Sequence, residues 1–121
     1  MPWLPDLHTE EETRAWVREV LVPRQEVWVA EVEGRIVGMA ALGEEMLQQL
    51  YIHPDYQGRG IGDALFRLAT ERYPEGFTLY AFQQNARARA FYEARGCVAV
   101  AFGDGSGNEE GEPDVLYAWM K

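Results

Sequence analysis

Hydrophobic side chains near the start of the chain follow a helical period. In residues 9–23 the large apolar side chains recur at the spacing of one helix face. These side chains are Trp16, Val17, Val20 and Leu21. Thr9 and Glu12 have the spacing of a capping box at a helix start, and Pro23 would end the helix. We therefore predict a first helix from Thr9 to Pro23.

Three mainly apolar segments follow, and turn residues separate them. The pattern predicts strands at Glu26–Val32, Arg35–Leu42 and Met46–Ile52. Glu33 and Gly34 form a two-residue turn between the first two strands, and residues 43–45 turn the chain into the third. Pro54 follows the third strand and ends it, because proline has no N–H group to donate to a strand ladder.

The second half of the chain alternates helices with strands. We predict a helix from the glycine-rich loop to about Tyr73, a helix that begins at Asn85, and strands at Phe77–Phe82, Cys97–Phe102 and Val115–Met120. The last two strands most simply form a hairpin across the flexible loop 103–113. This order predicts one domain over residues 1–121 of the α/β (α+β) class, in which helices flank a single mixed central β-sheet.

The main chemical signal is the glycine-rich loop that joins the third strand to its helix. Gly58, Gly60 and Gly62 stand at every second position there. Glycine adopts positive φ without steric cost and lets the backbone approach a ligand closely. The first N–H groups of a helix have no intrahelical partner and carry the positive end of its dipole. The loop therefore predicts a phosphate or pyrophosphate site, and hence a nucleotide-bearing cofactor.

The spacing of the glycines shows which nucleotide-binding motif the loop resembles. The dinucleotide motif needs its third glycine one residue later, and the P-loop needs Lys and then Ser or Thr after its last glycine. The segment Gln57-Gly-Arg-Gly-Ile-Gly62 instead resembles the acetyl-CoA loop, Q/R-x-x-G-x-G/A, of the GCN5-related N-acetyltransferase (GNAT) family. Residues 85–97 resemble the later motif of that family, in which Asn begins a helix, an aromatic pair ends in Tyr, and Gly closes the helix. The resemblance runs from about Val27 to the end of the chain.

The resemblance implies an acetyl-CoA-dependent N-acetyltransferase, which moves an acetyl group to a primary amine by direct attack in a ternary complex. It implies that amides from Gly58 to Asp63 hold the diphosphate and that the strand residues 50–52 pair with the pantetheine arm and polarise the thioester carbonyl. It also implies Tyr92 as the catalytic general acid. The implied cofactor-binding residues are Leu50, Tyr51, Ile52, Gln57, Gly58, Arg59, Gly60, Ile61, Gly62, Asp63, Asn85 and Tyr92.

Several alternatives remain open at the level of sequence. Tyr92 could be a surface or core aromatic, as most tyrosines are. We favour a solvated role for Glu44 and Glu45 and a structural role for His53, so a water chain or a partly neutral acceptor would replace a protein base. A non-catalytic acyl-CoA-binding module is the alternative function. A structural domain without a cofactor is a further alternative, but it leaves both motifs unexplained.

Composition limits the classes of binding partner and the cellular compartment that we expect. The formal net charge is −9, with 20 acidic and 11 basic residues, which disfavours nucleic acid and mildly favours an amine-bearing or cationic acceptor. No apolar run approaches the roughly 20 residues that span a bilayer, and no signal peptide is recognisable, so we expect no membrane partner and a cytoplasmic protein. One cysteine and two histidines do not give a metal-ligand cluster, so we expect no metal, and Cys97 is predicted to be a buried structural thiol.

The start of the chain departs from the family pattern. Family members usually begin with a strand and a helix before the helix that we place at Thr9. The resemblance therefore predicts a GNAT fold that lacks these two elements and is short at its N-terminus. The strand Glu26–Val32 would then be an exposed sheet edge, which invites pairing with another chain. We therefore expect a homodimer that covers this edge or the neighbouring apolar surface, and we leave the identity of the acceptor open.

Overall fold

The computed structural model describes residues 7–8, 14–23 and 25–121. The chain comprises two compact units, residues 1–72 and residues 73–121. The single domain over residues 1–121 stays a prediction. In the described part of the chain, no helix has the length and apolar character needed to cross a membrane.

The first unit is an antiparallel sheet with one helix. Its strands are β1 (Leu7–His8), β2 (Arg14–Val22), β3 (Gln25–Val32), β4 (Arg35–Gly43) and β5 (Met46–Ile52). Each strand pairs with the next in chain order. A 3-10 helix (Pro54–Tyr56) and the glycine loop lead into α1 (Ile61–Arg72). The three strands and the helix predicted for residues 26–73 are therefore confirmed, with ends shifted by one residue at most.

Residues 14–22 form a strand, so the predicted helix is wrong over the part of it that the structure describes. Residues 9–13 of that prediction lie outside the described residues. Trp16 to Val22 pair in register with Glu31 to Gln25 of β3. Three valines in this segment favour the strand, because β-branched side chains pack well on a pleated surface. Pro23 turns the chain between β2 and β3 and does not end a helix.

The exposed edge that we predicted at Glu26–Val32 is also wrong. β3 pairs with β2 on one side and with β4 on the other, so its backbone groups have partners along both edges. The expectation of a homodimer through this edge therefore loses its basis.

Helix α1 lies close to the sheet of the first unit because β4 carries a glycine beneath it. A Cβ at Gly38 would lie 3.1 Å from Cδ1 of Leu65 and 3.3 Å from Cγ2 of Ile61, both on α1. The far end of the helix is tied down by an ion pair, in which Nε of Arg72 donates to the Glu26 carboxylate at 2.9 Å. The position of the helix start is therefore fixed by packing at one end and by charge at the other.

The second unit is a three-stranded antiparallel sheet with one helix. Its elements are β6 (Gly76–Phe82), α2 (Ala86–Ala94), β7 (Val98–Gly103) and β8 (Asp114–Met120). β8 lies between β6 and β7, so the predicted hairpin of the last two strands is confirmed. Asn85 caps α2, because its Oδ1 accepts a hydrogen bond from the Ala88 N–H at 3.0 Å, and Gly96 takes a φ of 90° just past the helix end.

The strand assignment of residues 14–22 makes a prediction about stability. Val17 is 1% exposed and Leu21, four residues further along the strand, is 83% exposed. We expect Val17→Ala to lower the free energy of unfolding by about 1–3 kcal/mol, because it leaves a cavity. The control Leu21→Ala should cost less than about 0.5 kcal/mol. Urea denaturation measures both, and equal losses would contradict the difference in burial between the two residues.

Candidate active site

The glycine loop has the backbone shape of an anion cradle. Gly58 and Gly60 take φ angles of 79° and 83°, which side-chain-bearing residues rarely adopt. A Cβ at Gly58 would meet no atom within 4 Å, so the loop is open on that side. Nε2 of Gln57 donates to the Ile52 carbonyl oxygen at 3.3 Å and ties the loop to the end of β5.

The start of α1 presents backbone donors. The hydrogen-bond ladder of the helix begins where the Ala64 N–H donates to the Gly60 carbonyl at 3.1 Å. The N–H groups of residues 61 and 62 precede that first bond, in the turn where a helix offers its N–H groups to acceptors outside it. Asp63 forms an ion pair with Arg67 at 3.0 Å, which offsets its negative charge at the helix start. These groups fit a diphosphate, since donors and the positive end of the helix dipole coincide.

Strand β5 brings a feature that we did not predict. Leu47 pairs with Leu42 and Gln49 pairs with Ala41, so Gln48 is an extra residue in β5. This β-bulge comes directly before Leu50, Tyr51 and Ile52, which resume regular pairing with β4. A bulge re-aims the backbone of its strand. The two polar glutamines inside an otherwise apolar strand were the available sequence signal.

The first unit therefore brings together two groups of predicted site residues. The end of β5 (residues 50–52) and the loop (residues 57–63) are joined by the Gln57 hydrogen bond. Arg59 lies over the Tyr56 ring, with 5.2 Å from its guanidinium carbon to the ring centre. The second unit carries the remaining two predicted residues, Asn85 at the start of α2 and Tyr92 within it.

Tyr92 is the buried residue of α2 and is 7% exposed. Its ring centre lies 6.1 Å from that of Tyr117 on β8. Burial raises the pKa of its phenol to about 12. A phenol with this pKa remains protonated throughout the physiological range and can act only as an acid there. The burial is equally compatible with a core aromatic, so the geometry alone leaves both interpretations of Tyr92 in place.

A second tyrosine anchors the same helix, and sequence reasoning missed it. The Tyr117 hydroxyl accepts a hydrogen bond from Nε of Arg89 at 3.0 Å and donates to Oε2 of Glu93 at 2.5 Å. Arg89 and Glu93 both lie on α2, one turn apart, and Glu93 directly follows Tyr92. The network therefore fixes the part of α2 that carries Tyr92. Its only sequence signal is an Arg and a Glu four residues apart.

The other ionisable side chains that we considered have structural roles. Nδ1 of His53 accepts a hydrogen bond from the Asp55 N–H at 3.1 Å, which caps the 3-10 helix. Glu44 and Glu45 are exposed and form the left-handed turn between β4 and β5. Cys97 is buried as predicted, and burial raises the pKa of its thiol to about 11.

Comparison with known proteins identifies a matching family model and related acetyltransferases. The family model described as the acetyltransferase (GNAT) domain matches residues 23–96. Peptidyl-lysine N-acetyltransferase YiaC of Escherichia coli strain K12 is 32% identical over 81 residues, which make up 66% of this chain and 55% of YiaC. The chain spans about half the length of the curated relatives that it matches.

Solved structures show the same fold. The IAA acetyltransferase of Bacillus cereus ATCC 14579 aligns with a TM-score of 0.74 at 14% identity, over 88% of this chain and 99% of its own. A Bacillus anthracis protein assigned as a streptothricin acetyltransferase was solved in complex with acetyl coenzyme A. It aligns with a TM-score of 0.69 at 21% identity, over 84% of this chain and 65% of its own. The predicted acetyltransferase fold is confirmed.

The burial of Tyr92 predicts a loss of stability in alkaline solution. Burial raises its pKa from 10.0 to about 12, so between these values the folded state binds more protons than the unfolded state. Stability therefore falls as pH rises through this window, by about 1.4 kcal/mol per pH unit from this residue. Tyr92→Phe should remove that part of the loss. Urea denaturation at pH 9, 10 and 11 tests this, and equal pH dependence in both proteins would contradict the burial.

Proposed function

Because the chain belongs to the GNAT acetyltransferase family, we propose that it binds acetyl-CoA and transfers the acetyl group to a primary amine. The observation that carries this proposal is the start of α1, where left-handed glycines meet the first backbone N–H groups of the helix. The charge and size of a diphosphate suit this place. Acetyl-CoA supplies an acetyl group that is already activated as a thioester.

In this proposal the first unit holds the cofactor. Backbone amides from Gly58 to Asp63 bind the diphosphate, and Gln57 holds the loop against the end of β5. The backbone of residues 50–52 binds the pantetheine arm as an added strand would, and its N–H groups polarise the thioester carbonyl. The Asn85 amide contributes a further hydrogen bond to the arm, since its Oδ1 is already engaged in capping α2.

We assign Tyr92 as the general acid. The neutral amine attacks the carbonyl carbon and its nitrogen gives up a proton to water as the carbon–sulfur bond breaks. The departing thiolate takes the phenolic proton of Tyr92, and water then returns a proton to the phenolate. Holding both reactants in one site supplies much of the acceleration. The raised pKa supports this role only in part, because it keeps the proton in place at physiological pH but also makes the phenol a weaker acid.

For the acceptor we propose the side-chain amine of a peptidyl lysine. YiaC carries that activity in its name, and the net charge of −9 would attract a cationic residue. An acetylation assay with lysine peptides, α-amino peptides and small amines would test this. Transfer to lysine alone supports the proposal, and transfer only to another class overturns the acceptor but not the reaction.

A non-catalytic acyl-CoA-binding module is the second candidate. It is favoured by the burial of Tyr92, which raises the pKa of the phenol to about 12 and makes it a weaker acid. Acetyl-CoA binding without transfer to any amine in the same panel would favour it over the enzyme.

The loop proposal predicts the effect of a bulky residue at Gly60. We expect Gly60→Val to weaken acetyl-CoA binding at least tenfold, because the side chain blocks the approach of the diphosphate to the amides. Gly34→Val is the matched control, since Gly34 has a φ of 80° and lies in the β3–β4 turn. Both variants carry the same kind of backbone strain. Calorimetry with acetyl-CoA should show binding to the control only, and equal loss in both would contradict the site.

The general-acid assignment predicts a selective loss of turnover. Tyr92→Phe removes the proton but keeps the buried ring, so we expect kcat to fall about 100-fold while the Kd of acetyl-CoA changes less than twofold. Tyr117→Phe serves as a comparison, because it removes a buried hydroxyl of the same helix contact. Unchanged kcat in Tyr92→Phe at a saturating acceptor concentration would exclude Tyr92 from the chemistry.

A further inference from the structure

Arg89 connects helix α2 with residues in or next to all three strands of the second unit. Its Nε donates a hydrogen bond to the Tyr117 hydroxyl on β8 at 3.0 Å. Its Nη1 donates to the carbonyl oxygen of Gln83, directly after β6, at 3.4 Å. Its guanidinium carbon lies 6.0 Å from the ring centre of Phe102 on β7. One half-buried side chain therefore relates the helix to the whole sheet of this unit.

The planar guanidinium fixes the direction of these contacts. Arginine presents its N–H donors in a rigid fork, whereas lysine offers a compact ammonium with rotatable donors. Tyr117 is buried, and its hydroxyl donates to Glu93 while it accepts from Arg89. Both partners of this hydroxyl lie on α2, four residues apart, and loss of either would leave a polar group unsatisfied. The network therefore selects one rotation of α2 about its own axis relative to β8.

Apolar packing alone does little to fix that rotation. The helix has nine residues, fewer than the roughly 12–15 below which an isolated helix is marginal. Within Ala86–Ala94, all of which the structure describes, Tyr92 is the one buried side chain. A short helix held at one side chain can still rotate about it. The polar contacts of Arg89 provide the second point that defines the orientation of α2.

The rotation of α2 determines where the Tyr92 hydroxyl points. Arg89 and Tyr92 are three residues apart, so they are neighbours on the helix surface. In the proposed mechanism the phenol must lie within hydrogen-bond distance of the departing thiolate. Catalytic groups tolerate errors of about 0.5 Å and 10–20°, and a misplacement of about 1 Å can slow a reaction about 100-fold. A small rotation of α2 would therefore slow proton transfer even in a folded protein.

We propose that Arg89 is a positioning residue, which holds the Tyr92 phenol in place for proton donation. It acts through the orientation of α2 and not on either reactant. The inference rests on the proposed function, since it requires Tyr92 as the general acid. No proton passes through Arg89, so its contribution should disappear when residue 92 has no proton to give.

A double-mutant cycle tests this role. We expect Arg89→Met to lower kcat about tenfold, because the unbranched stem remains but every donor is lost. The Kd of acetyl-CoA, measured by calorimetry, should change less than about twofold. In the Tyr92→Phe background the same substitution should lower kcat less than about twofold. Arg87→Met is the matched control, since Arg87 is an exposed residue of the same helix, and it should leave kcat unchanged in both backgrounds.

A second variant separates position from charge. Arg89→Lys keeps a positive charge near Tyr92 but loses the rigid fork, so we expect it to lower kcat as Arg89→Met does. Wild-type kcat in Arg89→Lys would assign the effect to charge and overturn the inference. Far-UV circular dichroism and acetyl-CoA binding check that each variant is folded. Arg89→Lys replaces Arg89→Met in the cycle if the methionine variant does not fold.

The outcomes distinguish this inference from the proposed function. An unchanged kcat in Arg89→Met, or equal losses in the wild-type and Tyr92→Phe backgrounds, would overturn the inference alone. Absence of acetyl transfer by the wild type would overturn the proposed function and the inference with it. An unchanged kcat in Tyr92→Phe would remove the general acid, and with it the group that Arg89 is proposed to position.

Discussion

The proposed function depends on one interaction, in which the first backbone N–H groups of α1 bind a negatively charged ligand. It needs three conditions at once: glycines with positive φ before the helix, a helix that begins at Ile61, and a sheet that holds this helix in place. Gly38 meets the third condition by letting α1 approach β4, and Arg72 secures the other end on Glu26. The binding loop is thus supported by residues far from it in sequence.

The second unit uses a different physical device to position its candidate catalytic residue. Tyr92 is held by burial, and the helix around it is held by the Tyr117 hydroxyl between an arginine and a glutamate. A buried hydroxyl with both partners in place stabilises one arrangement of helix and strand, since losing either partner leaves a polar group unsatisfied.

Local chemistry in the sequence predicted the parts of the fold that depend on neighbouring residues. The glycine loop, the Asn85 cap, the Gly96 helix end and the Glu33–Gly34 turn are all decided within a few positions. Residues 14–22 fit both helical and strand periods, and pairing with β3 decided between them. The bulge at Gln48 and the Tyr117 network also depend on partners that are distant in sequence. These features could not be predicted from short-range patterns.

Backbone amide NMR during titration with coenzyme A tests the central claim most directly. Pantetheine is the matched ligand, because it carries the thiol arm but lacks the diphosphate. The account predicts that coenzyme A shifts the amide signals of Gly58, Gly60 and Ile61 at concentrations where pantetheine leaves them unchanged. Shifts confined to other residues, or equal shifts of these three amides with both ligands, would contradict it.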